Sequence, residues 1–193
     1  MFGVKEDKVT ADMRRKAKTI NFGILYGMGI NALKDGMKVE KKEAQEFYDQ
    51  YRFTFSRLME YMEEVKAHAF KEGYTVTLLG RKRRVPLLKS PLPFLRASGE
   101  RIAINAPMQG TSADVLKLAI LDVHEYLVKN NLTEKVKLIL QIHDELVYEL
   151  DADIAEKEKD NIVNIMKNVL SKRKLTTLPL EVSSAIGKNL HVI

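Results

Sequence analysis

Apolar residues recur every three or four positions over most of this chain and alternate only in a few short runs, which predicts long amphipathic helices with a few strands. From Thr10 to Tyr26 the spacing is helical: Thr10 or Asp12 can serve as N-cap, basic residues follow, and Gly27 and Gly29 mark the end. A second long helix is expected from Lys41 to about Glu72, with Ala44, Phe47, Tyr51, Leu58, Met62 and Val65 as its apolar stripe and Gly73 as its stop. Tyr74 to Leu79 is rich in Thr, Val and Tyr and reads as a short strand, turning at Gly80 into the basic run Arg81 to Arg84, with a return strand resuming at Val85. Pro86, Pro91 and Pro93 predict a linker. Phe94 to Asn130 reads as helix interrupted near Pro107 and Gly110, hence as a kinked helix or a helix pair.

Val136 to Gln141 and Leu146 to Leu150 are β-prone runs joined by a polar centre, His143-Asp144-Glu145, and together predict a hairpin with the acidic residues at its tip. Ala152 to Lys172 is patterned as an amphipathic helix, and Leu178 to Ile186 as a terminal strand behind Pro179. The elements add up to an α+β fold with a small, mainly antiparallel sheet. No internal repeat or low-complexity tract interrupts them.

Composition narrows the function classes. The 193 residues, 45% of them hydrophobic, suit one domain or two small subdomains sharing a core. A net charge of +6 favours a polyanionic partner, since each Lys or Arg near a phosphate can displace condensed counterions. Cysteine is absent, which excludes disulfides and thiolate-bound zinc and fits a reducing compartment. No stretch approaches the roughly 20 apolar residues that span a bilayer, and residues 1–11 lack the apolar core of a signal peptide, so a cytoplasmic protein with no membrane partner is expected.

Arg14, Lys18, Phe22 and Tyr26 stand four apart, so on a helix they drift by only about 40° per step and line one face. Two cations followed by two rings suit a nucleoside triphosphate lying along the helix, with Arg14 and Lys18 neutralising phosphates and Phe22 stacking on base or sugar. Gly23 and Gly27 permit close approach. The competing reading is a basic amphipathic helix whose rings pack in a core. Residues 14–27 resemble the family A DNA polymerase motif RRxxKxxNFGxxYG. That resemblance implies that Arg14 and Lys18 grip the incoming triphosphate, that Lys18 donates a proton to departing pyrophosphate, and that Tyr26 gates the templating base. Phe rather than Tyr at position 22 implies poor acceptance of dideoxynucleotides.

Phosphoryl transfer asks little covalent chemistry of a protein and depends on divalent metals held by carboxylates. Asp144 and Glu145, at a turn between two strands, offer the hard oxygen ligands that Mg²⁺ prefers, beside a His143 able to bond a primer-terminal sugar or phosphate. A polar turn with no metal is the simpler alternative. The run from Gln141 to Val147 resembles the family's QxHDE motif, found on a palm hairpin. By that resemblance Asp144 is the metal ligand, Glu145 its companion, His143 a primer-end contact and Gln141 a minor-groove contact.

Arg101, Asn105 and Gln109 repeat the four-residue spacing, and their donors suit the minor-groove acceptors that every base pair displays. Residues 100–111 are similar to the family segment ERxxxNxPxQGT, and Gly80 to Arg83 to its GRxR element. For the basic run Arg81 to Arg84 a solvated turn stands against a DNA-backbone contact. The resemblance implies a partial right-hand fold, with residues 1–72 as helical fingers packed on a palm of residues 73–193 that carries the hairpin 136–150.

A family A polymerase also holds a second metal-binding Asp in a motif of the form DYSQIELR, which this chain lacks. Only half of a two-Mg²⁺ site is therefore expected here, and little independent polymerisation. An upstream polymerase segment or a separate chain is the partner that completes the site, alongside primer-template DNA and dNTP. Two other readings remain: a binding module for DNA or nucleotide without catalysis, and a metal-dependent nuclease using His143, Asp144 and Glu145.

Overall fold

The computed structural model describes residues 4–176 and 179–189. Among these the chain forms α1 (Ala11–Leu25), α2 (Ile30–Met37), α3 (Lys41–Thr54), α4 (Ser56–Glu72), β1 (Tyr74–Val76), β2 (Lys82–Arg84), α5 (Pro93–Lys129), β3 (Val136–Ile142), β4 (Glu145–Leu150) and α6 (Ala155–Lys167). The class is α+β, with two separate two-stranded antiparallel sheets. Contacts group the chain into two units, residues 1–108 and 109–193, and α5 contributes to both. Among the described residues no helix is long and apolar enough to cross a membrane.

In the first unit, α1 begins where the Thr10 hydroxyl accepts the Met13 backbone N–H at 3.2 Å, so Thr10 rather than Asp12 is the cap. Asp12 instead reaches Lys16 at 3.0 Å and Arg15 at 2.6 Å, and these cations hold its carboxyl below the usual range. The helix closes with a left-handed Gly27 at φ +79°, whose N–H donates to the Ile24 carbonyl, while Met28 N–H donates to the Gly23 carbonyl at 2.8 Å. This cap reverses the chain into α2, and Ile20, Ile24, Leu33 and Tyr51 close one core with Met28 and Met37 packed on it. α2 lies in a stretch to which the pattern assigns no element. Ile30, Leu33 and Met37 carry its helical spacing, but eight residues containing Gly36 make too short a signal.

The single helix expected from Lys41 to Glu72 is two helices, broken at Phe55, whose φ of −110° and ψ of 41° are not helical. Phe53, Thr54 and Phe55 in succession lose side-chain freedom in a helix, and the Phe55 ring turns onto Tyr51 at 4.7 Å instead. β1 stops at Val76, short of the expected Leu79, and its return strand is not at Val85. The basic run itself pairs back, Tyr74 with Arg84, Thr75 with Arg83 and Val76 with Lys82, around a turn with Gly80 at φ +82°. Val85 is buried with Ala69, Leu88 and Ala103 in a second core.

No helix pair forms at Pro107 and Gly110: the helical assignment of α5 is continuous through both. A proline removes one ladder donor, and here the flanking turns maintain the helix despite a typical interior cost of about 3 kcal/mol. Near the start of α5, Gly99 permits close approach, because a Cβ there would lie 2.8 Å from the Leu88 backbone nitrogen and 3.0 Å from the Leu87 carbonyl carbon.

In the second unit Val123, Leu127, Val136 and Ile162 form the core shared by α5, the β3–β4 hairpin and α6. The hairpin pairs Val136 with Leu150 through Leu138 with Tyr148, then Leu140 with Val147 through Ile142 with Glu145. Ile139 is the extra residue of a β-bulge on β3. α6 is shorter than the expected span from Ala152 to Lys172. Asn168 caps it at Lys167, and both its backbone N–H, at 3.2 Å, and its side-chain amide, at 2.8 Å, donate to the Asn164 carbonyl. The turns that follow are clamped to α5 by Arg173, which donates to both oxygens of buried Asp122 at 2.7 and 2.8 Å, with Lys172 at 3.2 Å. Buried Glu158 accepts from the Tyr126 hydroxyl at 2.8 Å and the Asn161 amide at 3.1 Å. The expected terminal strand does not form: residues 179–186 have no ladder partner among the described residues, and Leu178 lies outside them.

Gly99→Ala is expected to destabilise the chain by about 1–2 kcal/mol in urea unfolding, since overpacking against a backbone outweighs the roughly 1 kcal/mol of helix propensity gained. Arg173, then Lys172, lowers the Asp122 pKa, so this group's contribution is complete above the ordinary carboxylate range and is lost as pH falls below about 4 through the lowered folded value. Asp122→Asn is therefore expected to cost roughly 1–3 kcal/mol at pH 7, and the gap between variant and parent should narrow at pH 3 in the same assay.

Candidate nucleotide and metal-binding site

The apolar side of α1, carrying Ile20 and Ile24, is buried, and the opposite side carries Arg14, Lys18, Phe22 and Tyr26, all exposed. Phe22 is 46% and Tyr26 42% accessible, with their rings 6.0 Å apart and nearly parallel at 16°. Core packing of these rings is thereby ruled out. Asp12 engages Arg15 and Lys16, while Arg14 and Lys18 have no acidic partner among the described residues. Two unneutralised cations next to a two-ring platform form a surface suited to an anion with an aromatic end.

Arg101 backs the end of this helix. Its Cγ lies 2.9 Å from where a Cβ on Gly27 would stand, so the glycine admits the arginine stem beneath the turn that follows Tyr26. Together they line a cleft of about 720 Å³ with Tyr48, Arg52, Met59 and Glu100. Asn21 is a residue that the pattern reading missed: its Oδ1 is buried with no hydrogen-bond partner. Its sequence signals are the Asn of the motif over residues 14–27 and its place one position from the exposed stripe.

At the hairpin of the second unit, His143 and Asp144 alone form the turn, with Ile142 ending β3 and Glu145 opening β4, so the connection is two residues shorter than the expected strand bounds leave. His143 has φ +52°, a left-handed conformation that costs a non-glycine residue about 1–2 kcal/mol. Gln141 shares a sheet face with Leu146, and Glu145 shares the other with Ile142. All four polar residues of this stretch are exposed. The Tyr148 hydroxyl, on the same hairpin, is buried without a partner, and burial pushes its pKa up to about 12.

The donor set at the tip is two carboxylates, the hard oxygen type that Mg²⁺ takes, and it is incomplete. Among the described residues no three of His, Cys, Asp and Glu come together to hold a metal. The fit is that of part of a site. On α5, Arg101 is exposed and Asn105 half-buried within the first unit, and Gln109 is exposed as the second unit begins. In the first unit Lys82 lies 4.4 Å above the Tyr74 ring, while Arg83 and Arg84 are exposed without an acidic partner among the described residues. Lys82–Arg84 of the basic run form a strand, all of it exposed, and Arg81 lies in the turn before it.

The family model of DNA polymerase family A matches residues 1–192. The chain belongs to that family. It is 38% identical to DNA polymerase I of Rhizobium leguminosarum over 189 residues, and 40% identical to that of Pseudomonas aeruginosa over 189 residues, in each case across 98% of this chain. Among solved structures it is similar to the POL domain of Pol1 from M. smegmatis in complex with DNA primer-template and dNTP, with a TM-score of 0.84 and 34% identity over 94% of this chain and 31% of that one.

The chain spans about a fifth of the length of the curated relatives it matches, 19% of the first and 20% of the second.

His143→Gly is expected to stabilise the chain by about 1 kcal/mol, because glycine occupies φ +52° without the steric penalty. Thermal melting checks the sign; an unchanged or lower midpoint would show that no strain is stored at this turn.

Proposed function

We propose that this family A region serves template-directed DNA synthesis, transferring a nucleotide from dNTP to a primer 3′-hydroxyl as one part of a polymerase, and so acts in DNA replication or repair. The observation that carries the reading is the α1 face: two exposed, unneutralised cations in line with two exposed parallel rings. In this reading Arg14 and Lys18 hold the triphosphate, Lys18 protonates the leaving pyrophosphate, Phe22 stacks on the nucleoside and Tyr26 gates the templating base. Gln141, Arg101, Asn105 and Gln109 contact the minor groove, and His143 meets the primer end.

Asp144, with Glu145 beside it, would hold one side of a Mg²⁺ pair; when bound, such metals stabilise charge on the attacking and leaving oxygens. Asp144 presents its carboxylate from a turn whose flanking strands restrict its movement. The remaining carboxylate comes from an upstream polymerase segment or a separate chain, and the cytoplasm is the compartment. Residues 1–72 act as fingers and 73–193 as palm.

A second reading, a DNA- or nucleotide-binding module without catalysis, is favoured by the incomplete donor set. Primer extension after mixing the chain with a separately expressed upstream family A segment separates the two. Extension that disappears with Asp144→Ala supports synthesis, and no extension under any complementation supports the binding module. Titration with a fluorescent dNTP tests the α1 face: Lys18→Ala is expected to weaken binding at least tenfold, the worth of one charge-assisted hydrogen bond.

A further inference from the structure

The β1–β2 hairpin of the first unit sorts its side chains onto two faces. Paired residues of an antiparallel ladder point to the same side, so Tyr74 with Arg84 and Val76 with Lys82 share one face, and Thr75 with Arg83 share the other. Thr75 is buried, and so is Val85, two residues on from Arg83, so Tyr74, Val76, Lys82 and Arg84 occupy the outer face. The ladder is closed at both ends: Thr77 N–H donates to the Arg81 carbonyl at 3.0 Å, and Val85 N–H to the Gly73 carbonyl at 2.9 Å. The interval between Lys82 and Arg84 is thereby fixed.

Lys82 is held differently from an ordinary surface lysine. Its ammonium stands 4.4 Å above the Tyr74 ring, and His68 of α4 braces that ring, with centroids 5.6 Å apart at 84°. Neither Lys82 nor Arg84 has an acidic partner among the described residues. An ammonium resting on a ring keeps N–H donors on its far side, so Lys82 can take a phosphate oxygen without leaving Tyr74. The side-chain freedom a lysine normally loses on binding has already been given up. We propose that this outer face grips the sugar-phosphate backbone of duplex DNA, with Lys82 and Arg84 each meeting one phosphate and Tyr74 as the positioning residue for Lys82. The choice of polyanion rests on the polymerase reading. Such contacts place the duplex without reading its sequence, and Arg83, on the other face, takes no part.

Binding of a fluorescein-labelled primer-template duplex to the full chain, followed by anisotropy between about 50 and 200 mM salt, tests each assignment. Lys82→Gln and Arg84→Gln are each expected to lower the slope of log affinity against log salt by about one, and Arg83→Gln to leave it unchanged. Tyr74→Leu is expected to weaken binding roughly two- to fivefold, while Tyr74→Phe, which keeps the ring, matches the parent. In the Lys82→Gln background Tyr74→Leu is expected to cost nothing further, a coupling that a merely structural tyrosine would not show. Circular dichroism confirms that the variants fold.

No binding of duplex by the parent, an unchanged slope in Lys82→Gln or Arg84→Gln, or an equal loss of slope in all three cation variants overturns the phosphate face. A Tyr74→Leu loss that persists in full beside Lys82→Gln, or that Tyr74→Phe shares, overturns the positioning role. A chain that shows the expected slopes yet never extends a primer keeps the phosphate face and removes the synthetic function. Primer extension with unchanged slopes does the reverse.

Discussion

Which side of α1 is buried decides what the first unit can present. Ile20 and Ile24 enter a core with Leu33 and Tyr51, and each such side chain is worth roughly 1.5–3 kcal/mol when removed from water. The ion pairs of Asp12 with Arg15 and Lys16 lie on the surface, where pairs contribute about 1 kcal/mol or less. Hydrophobic burial therefore sets the rotation of the helix, and Arg14, Lys18, Phe22 and Tyr26 face outward as a result. The left-handed turn at Gly27 makes that burial possible, since it brings α2 back across the helix and delivers Leu33 to the core. Arg101 rests against the same glycine, so the residue that ends the helix also admits the arginine stem behind it.

Local signals were legible in the sequence, and signals that depend on distant partners were not. The Thr10 cap, the Gly27 stop, the four-residue stripe on α1 and the β3–β4 hairpin are each specified within a few residues by capping or turn chemistry. The break at Phe55 escaped notice because the apolar stripe continues through it, and only the contact with Tyr51 reveals where the ring goes. The basic run looked like a turn because four successive cations hide a strand whose pairing with Tyr74 to Val76 lies outside its own pattern. At Pro107 the pattern leaves a kinked helix and a helix pair open, and the structure forms one helix through it. The site divides the same way: periodicity places Arg14, Lys18, Phe22 and Tyr26 on one face, whereas the exposure of the rings, the buried Asn21 Oδ1 and the support of Gly27 by Arg101 appear only in three dimensions.

The second unit carries unmet requirements in one place. A two-stranded sheet is marginal in water without a packed face, and this one covers Val136 while leaving Leu138, Ile139, Leu140 and Ile142 largely exposed. The Tyr148 hydroxyl has no partner, the terminal segment has no ladder, and the tip has fewer oxygen donors than a closed Mg²⁺ site takes. Each alone is unremarkable in a natural protein. Two of them, the exposed apolar face and the unpartnered Tyr148 hydroxyl, fall on the same hairpin.

The two-residue turn at the tip sharpens this point. A glycine would relieve the left-handed conformation at His143 at once, and a longer loop would relieve it more gently, yet the strands pair up to Ile142 and Glu145 and leave no slack. The six paired positions of the ladder bear the strain, since their cooperative hydrogen bonds and the buried Val136 anchor exceed a cost of about 1–2 kcal/mol. What the short turn secures is a fixed origin for Asp144: with both flanking strands extended, the carboxylate moves only through its own side-chain torsions. In the proposed reading, where Asp144 meets metal donors from elsewhere, such restriction matters more than it would in a self-contained site, because every additional loop torsion would have to be frozen as the site closes.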